Sequence, residues 1–285
     1  MSNVLKELDL NELPKMSAWP ARLLGLAIFG EVKRDLAKIK KEYSDDKWQK
    51  CHDILEASNF KLSPHDLRMN YHEFTSGDLR PCLLNNKLHL ARIADIMPIY
   101  DALIDKLVRP SLQQTGQLVE LGCGPGFIMN MLSRRFPKAR YMGGDFADSA
   151  IELAKKLYPD QKHISVQKLD FYADSFSVLE NAEGQVTVFT CQALEQIPDC
   201  SKTIRTLAKY RDKIERVVHL EPSYELYDDT LMGLMRKRYI EINDYNRNLI
   251  GTLRSTADIE VMSCEPCVIG WNPFNALAAT EWRFK

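Results

Sequence analysis

The sequence predicts an α/β protein, a mostly parallel sheet covered by helices, and three observations predict it. From about residue 115 onward, short apolar, β-branched segments alternate with amphipathic ones, separated by brief breaks. A glycine-rich turn, VELGCGPGFIMNML at residues 119–132, joins the first of these strands to its helix. The last segments, residues 258–267 and 276–284, are strand-like and joined by the turn formers Gly270, Asn272 and Pro273, which suits an antiparallel pair closing a parallel sheet.

Each element has a local cause. The first strand is predicted over residues 117–121, and its helix begins near Phe127, carries Ile128, Met131 and Leu132 on its apolar side, and stops at Pro137. Residues 139–145 form the second strand; Ser149 and Glu152 then have capping-box spacing and open a helix that Pro159 ends. The third strand, residues 163–169, ends at Asp170. QVTVFTC at 185–191 is the fourth, and after Pro198 the cap Asp199 opens a helix with Ile204, Leu207 and Ala208. Residues 216–221 are the fifth, followed by a long helical pattern over 228–254. With the closing pair this makes seven strands, a Rossmann-like doubly wound sheet assigned to residues 113–285.

Residues 1–112 read differently. Helical apolar spacing covers 21–43 (Leu24, Ile28, Val32, Leu36, Ile39) and 86–109 (Leu90, Ile93, Met97, Leu103, Leu107), with Pro98 kinking or splitting the second, and no strand signal of comparable strength is visible. This region is predicted to be a helical lid or a dimerisation element, with a homodimer as the corresponding partner state.

Composition narrows the function classes. A chain of 285 residues with 45% hydrophobic content is globular, and a net charge of −1 gives no general attraction to nucleic acid or to an anionic membrane surface. The basic runs at 38–41 and 236–238 sit in helix-like segments and read as solvated faces. The N-terminus carries charges where a secretory signal needs an apolar run, and no segment reaches the length of a membrane span, so a cytoplasmic location is expected. The seven cysteines then read as reduced thiols. Cys264 and Cys267 form a CxxC with no second pair or nearby His, so no metal is expected there.

The ligand of the glycine turn follows from its charge. A P-loop needs Lys followed by Ser or Thr after its last glycine, where this chain has Phe127 and Ile128. A dinucleotide turn reads GxGxxG and seats a pyrophosphate on the helix N-terminus, whereas this turn is GxGxG. Glu120 near a diphosphate would cost roughly 2–4 kcal/mol at an effective dielectric of about 20. S-adenosylmethionine instead brings a sulfonium and an α-ammonium. Glu120 attracts that ammonium, and Gly122, Gly124 and Gly126 let the backbone come close. Asp145 is placed to accept from the ribose hydroxyls, Phe146 and Phe171 to flank the adenine, and Asp170 to accept from its amino group. All fall at the carboxyl ends of successive strands, where open α/β sheets bind ligands.

The segments VELGCGPG, GGDFADSAIELAKKL, LDF and TCQALEQIPD, in this order and spacing, resemble the class I S-adenosylmethionine-dependent methyltransferase family over roughly residues 115–285. The resemblance implies a methyltransferase and adds Gln192 near the cofactor amino group. HLEPSYE, RKRYIEINDYNRNLI and GWNPF are similar to methyltransferases of bacterial surface-polysaccharide and specialised biosynthesis. That likeness implies a small polar acceptor with a hydroxyl or amine, such as a sugar or sugar nucleotide. Family members often carry His where this chain has Gln196. An RNA or protein methyltransferase, and a non-catalytic cofactor-binding partner subunit, stand as the alternatives.

Methyl transfer is an in-line displacement that needs alignment and exclusion of water, and needs a base only when the acceptor must lose a proton. Glu195 and His219 are the candidate bases by position and proton affinity; a helix-terminus contact and a core histidine are the structural alternatives. Tyr239, Asn243, Asn246 and Arg247 recur at helical steps and are predicted to turn a polar face toward the substrate, or toward solvent. Trp19, Trp48 and Trp271 read as packing anchors.

Overall fold

A computed structural model describes residues 5–27, 33–76 and 79–285. Its strands are β1 (Lys6–Glu7), β2 (Arg80–Leu84), β3 (Lys87–Ala91), β4 (Gln117–Leu121), β5 (Arg140–Asp145), β6 (Ile164–Lys168), β7 (Val186–Cys191), β8 (Ile214–Pro222), β9 (Ile259–Gly270) and β10 (Leu277–Phe284). They form one sheet in the order β1-β3-β2-β9-β10-β8-β7-β4-β5-β6. The run β6-β5-β4-β7-β8 is parallel, and β10 pairs antiparallel with both β8 and β9. The chain winds outward from β4 through β5 to β6, then returns to β7 on the other side of β4. A crevice opens at the carboxyl ends of β4 and its neighbours, because the helices after β4 and β7 leave toward opposite faces.

Alternation along β4 explains why both faces must be covered. Leu118 joins a core with Phe189, Val218 and Leu220 on one face, packed under the helix Ile93–Thr115 through Ile104 and Val108. Val119 and Leu121 point the other way, with Val186, Val188 and Trp282, under the helix Ser201–Ala208 through Ile204 and Leu207. A strand apolar on both faces can sit only in the middle of a sheet.

The sheet corrects the seven-strand expectation: three N-terminal strands extend it to ten. β2 and β3 form a hairpin whose two-residue turn, Asn85 and Asn86, has φ of +48° and +59°, the left-handed pair that a tight hairpin requires. The hairpin docks on β9 through Leu83 opposite Gly270 and Leu84 opposite Ile269. Leu90 therefore belongs to β3, and the helix begins at Ile93 and runs through both Pro98 and Pro110. The Leu90, Ile93, Met97 series mimics a helical period because a strand leads straight into a helix.

Two other helical readings shorten. Within 21–43 the described helices are the end of Trp19–Leu23 and Leu36–Ile39; Ile28 and Val32 lie outside the described residues. The Asp35 carboxylate accepts from Lys38 N at 2.8 Å and starts the second, which continues through the wide π-helical turns of Lys40–Trp48 into Gln49–Ala57. The pattern over 228–254 divides into Leu231–Ile242, capped by Thr230, and Leu249–Ser255; Asp244, at φ +50°, breaks the run between them. Among the described residues no helix is long and apolar enough to cross a membrane.

Candidate active site

The carboxyl ends of β4, β5 and β7 open onto a cavity of about 180 Å³. Gly122 and Gly124 form its floor with φ of +75° and +54°. A Cβ on Gly122 would meet Ala193 Cβ at 2.2 Å, and one on Gly124 would meet the Trp48 ring at 2.6 Å, so both positions exclude a side chain on shape as well as on φ. Gly126, at φ +82°, sits behind the cavity at the start of the helix Phe127–Arg135, where Tyr158 donates to its carbonyl at 3.1 Å.

Glu120 lines the cavity at 1% exposure, and its Oε2 has no hydrogen-bond partner among the described residues. Burial pushes its pKa well above the usual carboxylate range; Arg68 opposes the rise and Asp145 adds to it. Arg68 itself is committed to Asp101 at 2.8 Å. A buried carboxylate left without a counter-charge is costly, and a cationic guest would remove that cost.

Asp145 is anchored by backbone donors: Gly124 N reaches Oδ2 at 2.6 Å and Ala147 N reaches Oδ1 at 2.8 Å. Each oxygen keeps a lone pair for a further donor in the cavity. Phe146, Asp170, Phe171 and Gln192 also line it, and Tyr172 N fixes Asp170 through Oδ1 at 2.8 Å. Gln192 adopts φ +50°, and its Oε1 accepts from the Tyr100 hydroxyl at 3.2 Å. The structure thus brings together eight of the nine expected cofactor positions, with Gly126 one layer behind.

Part of the wall comes from residues that carry no motif. Tyr43, Lys47 and Trp48 descend from the helix Lys40–Trp48, Arg68 and His72 from Pro64–Ser76, and Trp271 from the loop after β9. Ser149 Oγ donates to Ser44 O at 2.7 Å and His52 Nε2 lies 2.9 Å from Ser149 O, so these helices are pinned to Asp148–Leu157. Ser149 is therefore a lid contact and not the cap expected from its spacing. Trp48 and Trp271 pack in apolar clusters, as read for them, and also line the cavity; Trp19 packs edge-on to Tyr239 at 4.7 Å. Only proximity in the fold, not spacing, joins these side chains to the glycine turn.

His219 is placed where it cannot act as the base. It is 1% exposed; Trp282 Nε1 donates to its Nε2 at 2.9 Å, which makes Nδ1 the protonated nitrogen, bonded to Thr190 Oγ1 at 2.8 Å. Burial pushes its pKa down to about 3. Glu195 is 4% exposed and lies off the cavity wall, its carboxylate accepting from Asn275 Nδ2 at 3.0 Å and Gln196 Nε2 at 2.8 Å. Gln196, in contrast, does line the cavity.

The four residues expected to face the substrate do not meet there. Tyr239 stacks on Phe274 at 6.4 Å, the Asn243 amide donates to Tyr239 O at 2.9 Å, the Asn246 amide donates to Ile197 O at 3.0 Å, and Arg247 is exposed with Asp244. Their amides close the break between two helices. Arg236 is no solvated charge either: at 3% exposure it donates to Pro273 O and Asn86 Oδ1, clamping the β2–β3 turn.

Residues 118–212 match the family model described as a methyltransferase domain. Over 99 residues the chain is 30% identical to malonyl-[acyl-carrier protein] O-methyltransferase of Bacillus anthracis, covering 35% of either chain. Over 101 residues it is 34% identical to trans-aconitate 2-methyltransferase of Variovorax paradoxus (strain S110), covering 35% of this chain and 36% of that one. The matched segment spans about a third of the length of these relatives. Among solved structures, magnesium protoporphyrin IX methyltransferase from Synechocystis PCC 6803 with bound SAH aligns with a TM-score of 0.46 at 15% identity, over 65% of this chain and 84% of that chain.

Proposed function

We propose, from the premise that residues 118–212 are a class I S-adenosylmethionine-dependent methyltransferase domain, that the whole chain methylates an oxygen of a small polar metabolite beneath its N-terminal helices. One observation carries the reading: the buried, unpartnered Glu120 carboxylate beside glycines that exclude any side chain. A cradle of that shape and charge fits the methionyl end of the cofactor.

When bound, the cofactor supplies a methyl group already activated for displacement by its sulfonium. In this reading Glu120 holds the ammonium, and Asp145 accepts from the ribose hydroxyls with the lone pairs left by Gly124 and Ala147. Phe146 and Phe171 flank the adenine, and Asp170 accepts from its amino group. Gln192, fixed by Tyr100, lies at the methionyl end. Glu195 acts as a positioning residue that orients the Gln196 amide. Trp48 and Tyr43 cover the site and exclude water.

The names of the malonyl-[acyl-carrier protein] and trans-aconitate relatives support an oxygen acceptor on a small acid or ester precursor. A sugar or sugar nucleotide of surface-polysaccharide synthesis falls in the same polar class and belongs in the acceptor panel. Calorimetry decides the cofactor first. Saturable heat with S-adenosylmethionine at one site, and none with NADH, is the result expected; the reverse pattern overturns the reading. Turnover across a panel of hydroxy, amino and carboxylic acceptors then identifies the atom.

A further inference from the structure

A second cavity, of about 510 Å³, opens from the first. The two share Tyr43, Lys47, His72, Gln192 and Trp271, so a molecule in the outer chamber reaches the cofactor cavity through a gate of those five side chains. An acceptor approaching the methyl group has this route, and its chemistry is written in the chamber's charges.

Two cations line the chamber with no ion pair among the described residues. Lys47, at the gate, has its ammonium 4.4 Å from the Trp48 ring centroid and 5.0 Å from that of Tyr43, with no carboxylate in ion-pair range among the described residues. Arg80, at the start of β2, has a buried Nε with no hydrogen-bond partner among the described residues. The chamber's acids do not answer them: Glu42 is taken by Arg34 at 3.2 Å, and Asp46 is on the exposed rim. Lys50 also lines the chamber, the phenols of Tyr43 and Tyr71 are uncharged, and their pKa values are raised by burial. His72 is held neutral, its pKa pushed down to about 3 first by burial and then by Arg68, Lys47 and Arg80.

We propose that the acceptor is a small dicarboxylic acid, its reacting carboxylate oriented by Lys47 at the gate and its second carboxylate bound by Arg80 in the outer chamber. This rests on the methyltransferase reading above and names the substrate class of that site. Two cations at different depths, neither in an ion pair among the described residues, call for two anions. A carboxylate also needs no base, which agrees with a gate whose histidine is neutral. The carboxylate oxygen forms a bond to the methyl carbon as the carbon–sulfur bond breaks, the electron pair stays on sulfur, no proton is released, and the product is a monoester.

The test is calorimetry on protein saturated with S-adenosylhomocysteine, titrated with succinate, glutarate, fumarate, their diamides, and inorganic phosphate. At least one diacid is expected to bind ten-fold or more tighter than its diamide and than phosphate. Arg80→Met should weaken that diacid about ten-fold with unchanged affinity for S-adenosylhomocysteine, and Arg80→Lys should restore part of it. Diacids binding no better than diamides, or phosphate binding equally well, overturns the assignment while leaving the cofactor reading intact. Failure of S-adenosylhomocysteine to bind removes the reading itself.

Discussion

At 1% exposure each, Glu120 and His219 are equally buried, and their partners decide what each can do. His219 has both ring nitrogens satisfied by Thr190 and Trp282; Glu120 has an oxygen with nothing to accept from among the described residues. Replacing Glu120 by Gln removes the charge while keeping the shape. It should weaken S-adenosylhomocysteine by about 1–3 kcal/mol, and Asp145→Ala should cost a similar amount through lost charge-assisted bonds. Calorimetric affinities equal to the parent protein's would contradict both roles. His219 makes a pH prediction instead. Its pKa is about 3 when folded and about 6.5 when unfolded, so as pH falls between those values the unfolded chain takes up a proton that the folded one refuses, and stability falls with it. Glu221 works in the other direction, its folded pKa raised to about 7 by burial and by Glu195, so its contribution is lost as pH rises through that value. His219→Gln should therefore flatten the acid limb of a melting-temperature profile below about pH 6.5. Parallel profiles for the two proteins would reject the tautomer and burial argument.

At the scale of elements, the lid is where local sequence rules gave way to tertiary contact. Ser149 and Glu152 carry a capping signature, yet the Ser149 hydroxyl donates to the Ser44 carbonyl, and the helix starts without a side-chain cap. The same competition explains Asn243 and Asn246, whose helical spacing suggested a face and whose amides instead satisfy carbonyls at a helix break. Trp48 lies so close over Gly124 that a methyl group there cannot be placed without moving the ring. Gly124→Ala, at φ +54°, should cost about 1–3 kcal/mol in strain and push Trp48 outward. Its signature is a red-shifted tryptophan emission together with weaker S-adenosylhomocysteine binding. A variant with parent-like emission and affinity would show that the lid does not bear on the glycine turn.

For the molecule as a whole, the ten-stranded sheet ties the N-terminal segment to the C-terminal one. β2 rides on β9 while the helices Lys40–Trp48 and Pro64–Ser76 hang over the ends of β4 and β5. A ligand that fills the cavity should join the two sides. Hydrogen exchange at residues 40–57 is expected to slow by ten-fold or more on adding S-adenosylhomocysteine, while the β4, β5 and β7 amides, already in the sheet core, change little. Equal exchange in the lid with and without the ligand would make it a rigid wall instead of a cover. The sequence by itself determined the parallel half of the sheet and the placing of Glu120, Asp145 and Asp170 at strand ends. Period-2 strands, glycines and strand-end acids are local signals, and winding on either side of β4 carries them to one crevice. Only the tertiary structure decided that Lys47, His72 and Trp271 face that crevice and Arg80 the chamber outside it, that His219 is core, and that the N-terminus lends strands to the sheet. Those outcomes depend on which distant segments pack together, and the helical spacing from Leu90 to Met97 gives way to a strand at Leu90 only because β9 is there to pair with β2.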